Sequence, residues 1–353
     1  MNRRSVAIVI GFVLLAGLGA VASFAPMPYV RYAAGPTFDV LGKQGNGKPI
    51  VFVRGHKTYA TDGELRMTTV RTSNRDTKLT LVQALLAWVD PDQALYPRSV
   101  IYPDDGTTEE QDRTESQLQM VSSQDNAVAA ALTELGFDLD VKVQVRGTVA
   151  GGAAEGVLQA HDVLAKVNGE DITTAEQVGA IIGALTPGDN VTIDIVRGGR
   201  PRTVEITTKA ASDDPNRAVI GIFPGLGFQF PFDVDVRIPE AIGGPSAGLI
   251  FSLAVYDSLT PGALTGGHTI AGTGTIDEAG RVGPIGGIAQ KIAGAEEDGA
   301  EMFLVPPSNC DEAVLAHTGL RLVRADTMAS ARAAIEKFVA NPSADLPTCP
   351  GDS

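Results

Sequence analysis

Hydrophobic and polar positions divide the chain unevenly. Behind Arg3 and Arg4, residues 5–30 carry no charge and are dominated by Val, Ile, Leu, Ala and Gly, until Pro26 and Pro28 close the run. As a helix, residues 6–24 reach about 28 Å at ~1.5 Å per residue, close to the hydrocarbon thickness of a bilayer. Two arginines on the short N-terminal side keep that end in the cytoplasm and place everything after residue 30 outside the cell membrane. Ala20-Val21-Ala22 also carries the small-x-small pattern of a cleaved leader, but the apolar run is longer than the core of an ordinary signal sequence. The expectation is one uncleaved N-terminal transmembrane helix.

Beyond it, residues 49–53 and 64–70 alternate as strands and, with Gly55 and Asp62-Gly63 between them, predict a hairpin. Residues 79–89 have helical spacing, and the carboxylate-rich stretch 104–115 predicts an exposed loop. Met120, Val121, Ala127, Val128, Ala131 and Leu132 recur at helical spacing within 117–135, with Gly136 as the stop. That helix is expected to pack on a sheet. Residues 137–210 turn to short strands around a turn-rich centre, with a helix over 173–185 and a strand over 190–196. Further on, 234–238 alternates like a strand and 250–259 predicts an apolar helix.

A chain of 353 residues with 44% hydrophobic content can bury a core in each of about two domains. Its net charge of −14 argues against a general nucleic-acid binder, which needs a basic face to displace counterions from phosphate. No cofactor or metal is expected. The two cysteines, Cys310 and Cys349, can form a disulfide outside the cytoplasm, contributing about 4 kcal/mol in the chain-entropy picture; two unpaired thiols fit the sequence equally well. The string from Gly42 to Pro49 has a Walker-like outline, but proline stands where the metal-binding hydroxyl belongs and a strand follows where a helix should.

The last third carries the candidate chemistry. Ser246 follows Gly243-Gly244-Pro245 and precedes an apolar helix, a setting that exposes a hydroxyl and surrounds it with backbone amides able to stabilise an oxyanion. An N-cap serine after a glycine turn would look the same. A serine nucleophile needs a base, and Lys291 sits among apolar neighbours after Gly286-Gly287-Ile288-Ala289-Gln290. Burial lowering its pKa from about 10.4 to about 7 or 8 would make it that base. Gly244-Pro245-Ser246-Ala247-Gly248 also satisfies G-x-S-x-G, with Asp311 and His317 following in α/β-hydrolase order, but Pro239 and two glycines interrupt the strand that such an elbow requires.

Two resemblances organise these pieces. The run from Gly151 to Leu158, then His161-Asp162-Val163-Leu164 and Asn168-Gly169, resembles a PDZ domain, with His161 in place of the usual glycine and no ligand role for it. The resemblance implies a groove that takes peptide termini by strand addition, with Leu135-Gly136-Phe137 as the loop for the terminal carboxylate. Gly225-Leu226-Gly227-Phe228 matches that loop more literally but falls after the domain, in what reads as a Gly-rich connector. Gly244-Pro245-Ser246-Ala247-Gly248, Thr273-Gly274, Gly280-Arg281-Val282, Pro284-Ile285-Gly286-Gly287 and Lys291 resemble the Lon-type proteolytic domain in order and spacing.

That resemblance implies a Ser246–Lys291 dyad, Thr273 orienting the lysine, and Gly244 and Pro245 supporting the turn. The helix around residues 122–127 is similar to the one preceding the catalytic half of such domains. The whole is similar to membrane-anchored, PDZ-containing Lon-like proteases that lack the ATPase module. The implied fold is α+β: an anchor over 1–30, a Lon-like domain split between 31–135 and 213–340, a PDZ domain inserted over 136–212, and a tail over 341–353. The implied activity is ATP-independent hydrolysis of unfolded or flexible extracytoplasmic polypeptides. Lon-like domains often form rings, which admits a homo-oligomer. An inactive PDZ-bearing scaffold is the alternative outside enzymology.

Overall fold

In the computed structural model, which describes residues 3–45, 47–103, 107–239 and 241–350, the apolar run forms helix α1 (Arg3–Phe24), long and apolar enough to cross a membrane. It projects from the folded body with Ile8, Phe12 and Leu15 exposed. Strands β1 (Phe38–Asp39), β2 (Val51–Arg54) and β3 (Glu64–Met67) follow, then helix α2 (Leu81–Val89) and the long helix α3 (Glu109–Glu134). The Walker-like string folds into a turn bridged from Lys43 to Pro49, with Asn46 outside the described residues.

The expected hairpin does not form: β2 pairs with a strand nearly two hundred residues away, and β3 runs parallel to a different distant strand. Alternation specifies which face of a strand is buried; it does not name the partner. The acidic stretch is also corrected. Residues 104–106 lie outside the described residues, but from Glu109 onward it is helix, capped by Thr108 and Gln111 in a reciprocal box. Glu109, Glu110 and Asp112 occupy the first turn, where carboxylates stabilise the exposed amide end.

The next strands close on themselves. Strands β4 (Asp140–Thr148) and β5 (Val163–Val167), helix α4 (Ala175–Gly183), and strands β6 (Asn190–Arg197), β7 (Arg200–Thr207) and β8 (Ile222–Gln229) build an antiparallel sheet in the order β7-β6-β5-β4-β8. Val143, Leu164, Val178, Ile193 and Ile220 belong to its own core. Asn168 and Gly169, both at positive φ, make the two-residue turn after β5. Gly225-Leu226-Gly227-Phe228 is therefore no connector: it lies inside β8, at the free edge of this sheet.

After β8 come β9 (Asp233–Val236), helix α5 (Gly248–Leu259), β10 (Thr269–Gly272), helix α6 (Ile288–Glu297), β11 (Met302–Val305), β12 (Arg321–Arg324) and helix α7 (Met328–Ala340). The second sheet has the order β12-β11-β10-β3-β1, parallel except where β1 joins β3. β9 pairs with β2, and α5 packs against α3, so residues on both sides of the inserted sheet share one core around Leu65, Leu132, Phe251 and Leu304.

The Sγ atoms of Cys310 and Cys349 are bonded, pinning residues 341–350 beside β12, where the Arg324 amide also donates to Pro347 O. With the cysteines 39 positions apart in sequence, reduction is expected to cost about 2–4 kcal/mol and to lower Tm by about 5–10 °C. Melting the protein with and without dithiothreitol checks this, and coincident curves would contradict it. On α5, Asp257 is fully buried: Oδ1 accepts from the Leu264 amide at 2.7 Å, Oδ2 has no hydrogen-bond partner among the described residues, and desolvation raises the carboxyl to about 6. The folded state thus holds a proton that the unfolded chain releases near pH 4, and stability falls as pH rises through that window. Asp257→Asn is expected to be more stable than the parent at pH 8, by at most about 3 kcal/mol, with the advantage shrinking between pH 6 and 4. A pH-independent difference in Tm would contradict that account.

Candidate active site

Ser246 sits in the turn that feeds α5, where Gly244 adopts φ +86° and Ala247 is the N-cap. The turn is tied on two sides. The Gly274 amide and Thr273 Oγ1 donate to Ser246 O at 2.8 and 2.9 Å, and the Leu249 amide returns a bond to Gly274 O. From the other side, Ser123 on α3 donates its hydroxyl to Pro245 O at 2.9 Å. Ser246 itself is half-buried, and among the described residues neither its amide nor that of Ala247 donates to a backbone oxygen. Two donors at the N-terminus of a buried helix are thereby available beside the hydroxyl. Glu240, a few residues upstream, lies outside the described residues.

Lys291 is the fourth residue of α6. Gly287 caps that helix at φ +69°, and a Cβ there would stand 2.9 Å from Val70 Cγ1, so only glycine lets the chain turn into α6 at this place. Asn309 braces the preceding loop: its side chain accepts from the Ile285 amide at 3.0 Å and donates to Ile285 O at 2.9 Å. Lys291 is 2% exposed, and desolvation lowers its ammonium to about 7. Its Nζ donates to Thr273 Oγ1 at 3.1 Å, and Thr273 is itself buried. Because Thr273 gives its one proton to Ser246 O, it can only accept from Lys291; a neutral amine held this way keeps its lone pair uncommitted.

Ser246 and Lys291 open onto one cavity of about 620 Å³, whose walls include Phe38, Met67, Met120 and Ile242. No hydrogen bond joins the two side chains directly; Thr273 links Lys291 Nζ to the backbone carbonyl of Ser246. The arrangement brings together the predicted Ser246, Lys291 and Thr273 with Gly244 and Pro245 in the supporting turn. It adds Ser123 and Asn309, which the sequence reading gave no role because a helix serine and a turn asparagine are unremarkable without their partners.

The hydrolase alternative is not assembled. Asp311 and His317 are exposed, and His317 borders a separate hollow with Pro91, Glu312 and Leu315. Leu135-Gly136-Phe137 is likewise corrected as a carboxylate loop. It ends α3, and all three amides are spent on Ala131 O, Thr133 O and Leu132 O, while Phe137 stacks edge-on against Phe232. The free strand edge lies instead at β8, which runs beside α4 and starts from Gly221, at φ +74°. The amides of Ile220 and Gly221 donate to no protein oxygen among the described residues.

Known proteins resemble the chain in two blocks. Residues 228–319 match the Lon protease (S16) C-terminal proteolytic domain, and residues 117–208 match a PDZ domain, an interval that stops short of the edge strand β8. The chain is 33% identical over 90 residues to the Lon protease of Mesomycoplasma hyopneumoniae, covering 24% of this chain and 10% of that one. It is 37% identical over 83 residues to the Lon protease of Campylobacter concisus, covering 23% and 10%. Against Lon protease 1 of Bacillus subtilis it is 34% identical over 93 residues, covering 26% and 12%. The chain thus spans about a tenth of the length of these curated relatives. Among solved structures, the PDZ domain of an SdrC-like protein from Listeria monocytogenes aligns at 23% identity and a TM-score of 0.22, covering 24% of this chain and 86% of that one. The chain carries a Lon-type (S16) C-terminal proteolytic domain together with a PDZ domain.

Proposed function

We propose that the chain is an ATP-independent serine endopeptidase acting outside the cytoplasm through a Ser246–Lys291 dyad. The observation that carries the reading is Lys291, a lysine buried with one hydroxyl partner, sharing a cavity with a serine at a helix N-terminus. A charge kept out of water in this way is costly unless the group works as a neutral base. Neutral Lys291 takes the Ser246 proton as Oγ attacks the peptide carbonyl. The developing oxyanion turns toward the Ser246 and Ala247 amides, the lysine returns the proton to the departing amine, and it then deprotonates the water that releases the acyl group. Thr273 is a positioning residue, holding the ammonium of the intermediate as it holds the amine.

The inserted sheet supplies recognition of chain ends in this reading. A peptide adds as a strand along β8, facing α4, with its carboxylate at the unspent amides of Ile220 and Gly221. α1 acts as the anchor, with Arg3 and Arg4 on the cytoplasmic side. The test is hydrolysis of an unfolded protein by the full chain and by Ser246→Ala, Lys291→Met and His317→Ala. Loss with the first two and retention with the third is expected; retention in Lys291→Met would overturn the dyad.

A further inference from the structure

Helix α2 is built inside out for a protein surrounded by water. The two positions it buries are Ala84 and Ala87, while Val82, Leu85, Leu86, Trp88 and Val89 all face outward, Leu86 at 63% and Trp88 at 76% exposure. An amphipathic helix on a soluble surface turns its large apolar side chains inward and its polar ones out. α2 has no charged residue, and its one polar side chain, Gln83, is consumed in the capping box with Thr80. A contiguous apolar face of this kind marks an interaction surface.

Its position in the fold identifies the partner. α2 touches α1, and the strand residues immediately before it, Leu79–Thr80, pair with Pro26–Met27, one residue beyond the end of α1. The chain that leaves the apolar helix at Phe24 is therefore stitched, within two residues, to the N-terminus of α2. If α1 crosses a bilayer, α2 stands at the level where that bilayer ends. Tryptophan is the side chain best suited to that level, with an apolar body and one N–H for the wet side. We infer that α2 is an interfacial helix whose Val82, Leu85, Leu86, Trp88 and Val89 insert into the outer leaflet beside α1, giving the protease body a second, fixed contact with the lipid surface. The inference rests on reading α1 as a membrane span.

Trp88 is the only tryptophan in the chain, so its fluorescence reports on α2 alone. The full-length protein is reconstituted into vesicles of phosphatidylcholine with a minority of phosphatidylglycerol whose acyl chains are brominated near the carbonyl end. Its emission is compared with that in unbrominated vesicles, and iodide accessibility is measured in parallel. The expected result is co-flotation with the vesicles, at least about twofold quenching by bromine, as an interfacial helix buried ~5–10 Å deep requires, and protection from iodide. Leu86→Asp is expected to restore iodide access while flotation persists through α1. Flotation with Trp88 open to iodide and untouched by bromine would overturn the inference and leave the span standing. Protection from iodide without bromine quenching, rising with protein density at fixed lipid, would assign the face to a second copy of the chain and also overturn it. Failure to float would remove the span and the inference together.

Discussion

Lys291→Met is expected to lower peptide hydrolysis by about 10³ to 10⁴-fold while making the folded protein more stable near neutral pH. The two effects have one cause. Burial brings the Lys291 ammonium from its ordinary value near 10.5 to about 7. Between those values the unfolded chain holds the proton and the folded chain does not, so stability rises with pH from about 7 upward, and below that the fold carries the full cost of a buried charge. Methionine removes that cost, several kcal/mol at pH 6, and with it the base proposed for Ser246. With neutral Lys291 as the proposed base, activity of the parent is expected to rise with pH through about 7 and to level off above 8. Ser246→Ala is expected to lose at least as much activity without the gain in stability. The measurement is kcat/KM from pH 5 to 9 beside thermal unfolding over the same range. A variant that is inactive but less stable at pH 6 would mean that Lys291 is a paired structural charge, and an acid limb displaced far from 7 would remove it as the base.

The two turns that carry Ser246 and Lys291 were legible in the sequence because they are dense with small residues at fixed spacing: Gly244-Pro245 before Ser246, and Gly286-Gly287 before Lys291, each of which the structure uses as a backbone turn into a helix. The partners of single strands were not legible. β2 and β3 carry the right alternation, yet their neighbours β9 and β10 lie beyond an entire inserted sheet. Leu135-Gly136-Phe137 misled for a related reason. An apolar-Gly-apolar triplet serves equally to end a helix and to cradle a carboxylate, and only the committed amides separate the two uses. The carboxylates of 109–115 suggested solvent, where the first turn of α3 gives them a helical reason to be there. His161, set aside as a turn residue, has a partner that no local pattern could reveal.

That partner is Asp125, and removing its carboxylate is expected to be the most damaging change outside the candidate active site. Asp125 lies on α3, 2% exposed, and receives Arg146 from β4 and His161 Nδ1, the latter at 2.8 Å. It is thus the point where the inserted sheet grips the helix that also holds the Ser246 turn, since Ser123 bonds Pro245 O and Asn126 bonds Ile276 O from the same stretch. Asp125→Ala leaves Arg146, a largely enclosed guanidinium, without its counter-charge, at a cost of about 3–5 kcal/mol. Hydrolysis is expected to fall about tenfold through the displaced turn, whereas Arg197→Ala, which breaks the ion pair with Asp162 inside the inserted sheet, leaves the rate near that of the parent. The histidine adds a pH dependence whose sign is fixed. Burial lowers its pKa, but the Asp125 charge and hydrogen bond, with Asp235 nearby and Arg146 opposing, leave it above the ordinary 6.5. The stabilisation it gives is therefore complete below about 6.5 and lost as pH rises through the raised value. His161→Gly, which accepts the positive φ of this position, is expected to weaken the protein at pH 6 and to leave it unchanged well above the raised value, where the imidazole is neutral in the parent too. Melting curves of the parent, Asp125→Ala and His161→Gly at pH 6 and 9, read beside hydrolysis rates, decide the matter. Equal losses for His161→Gly at both pH values would mean that the ring acts by packing, and a fall in rate shared by Arg197→Ala would mean that α3 carries nothing specific from the sheet to Ser246.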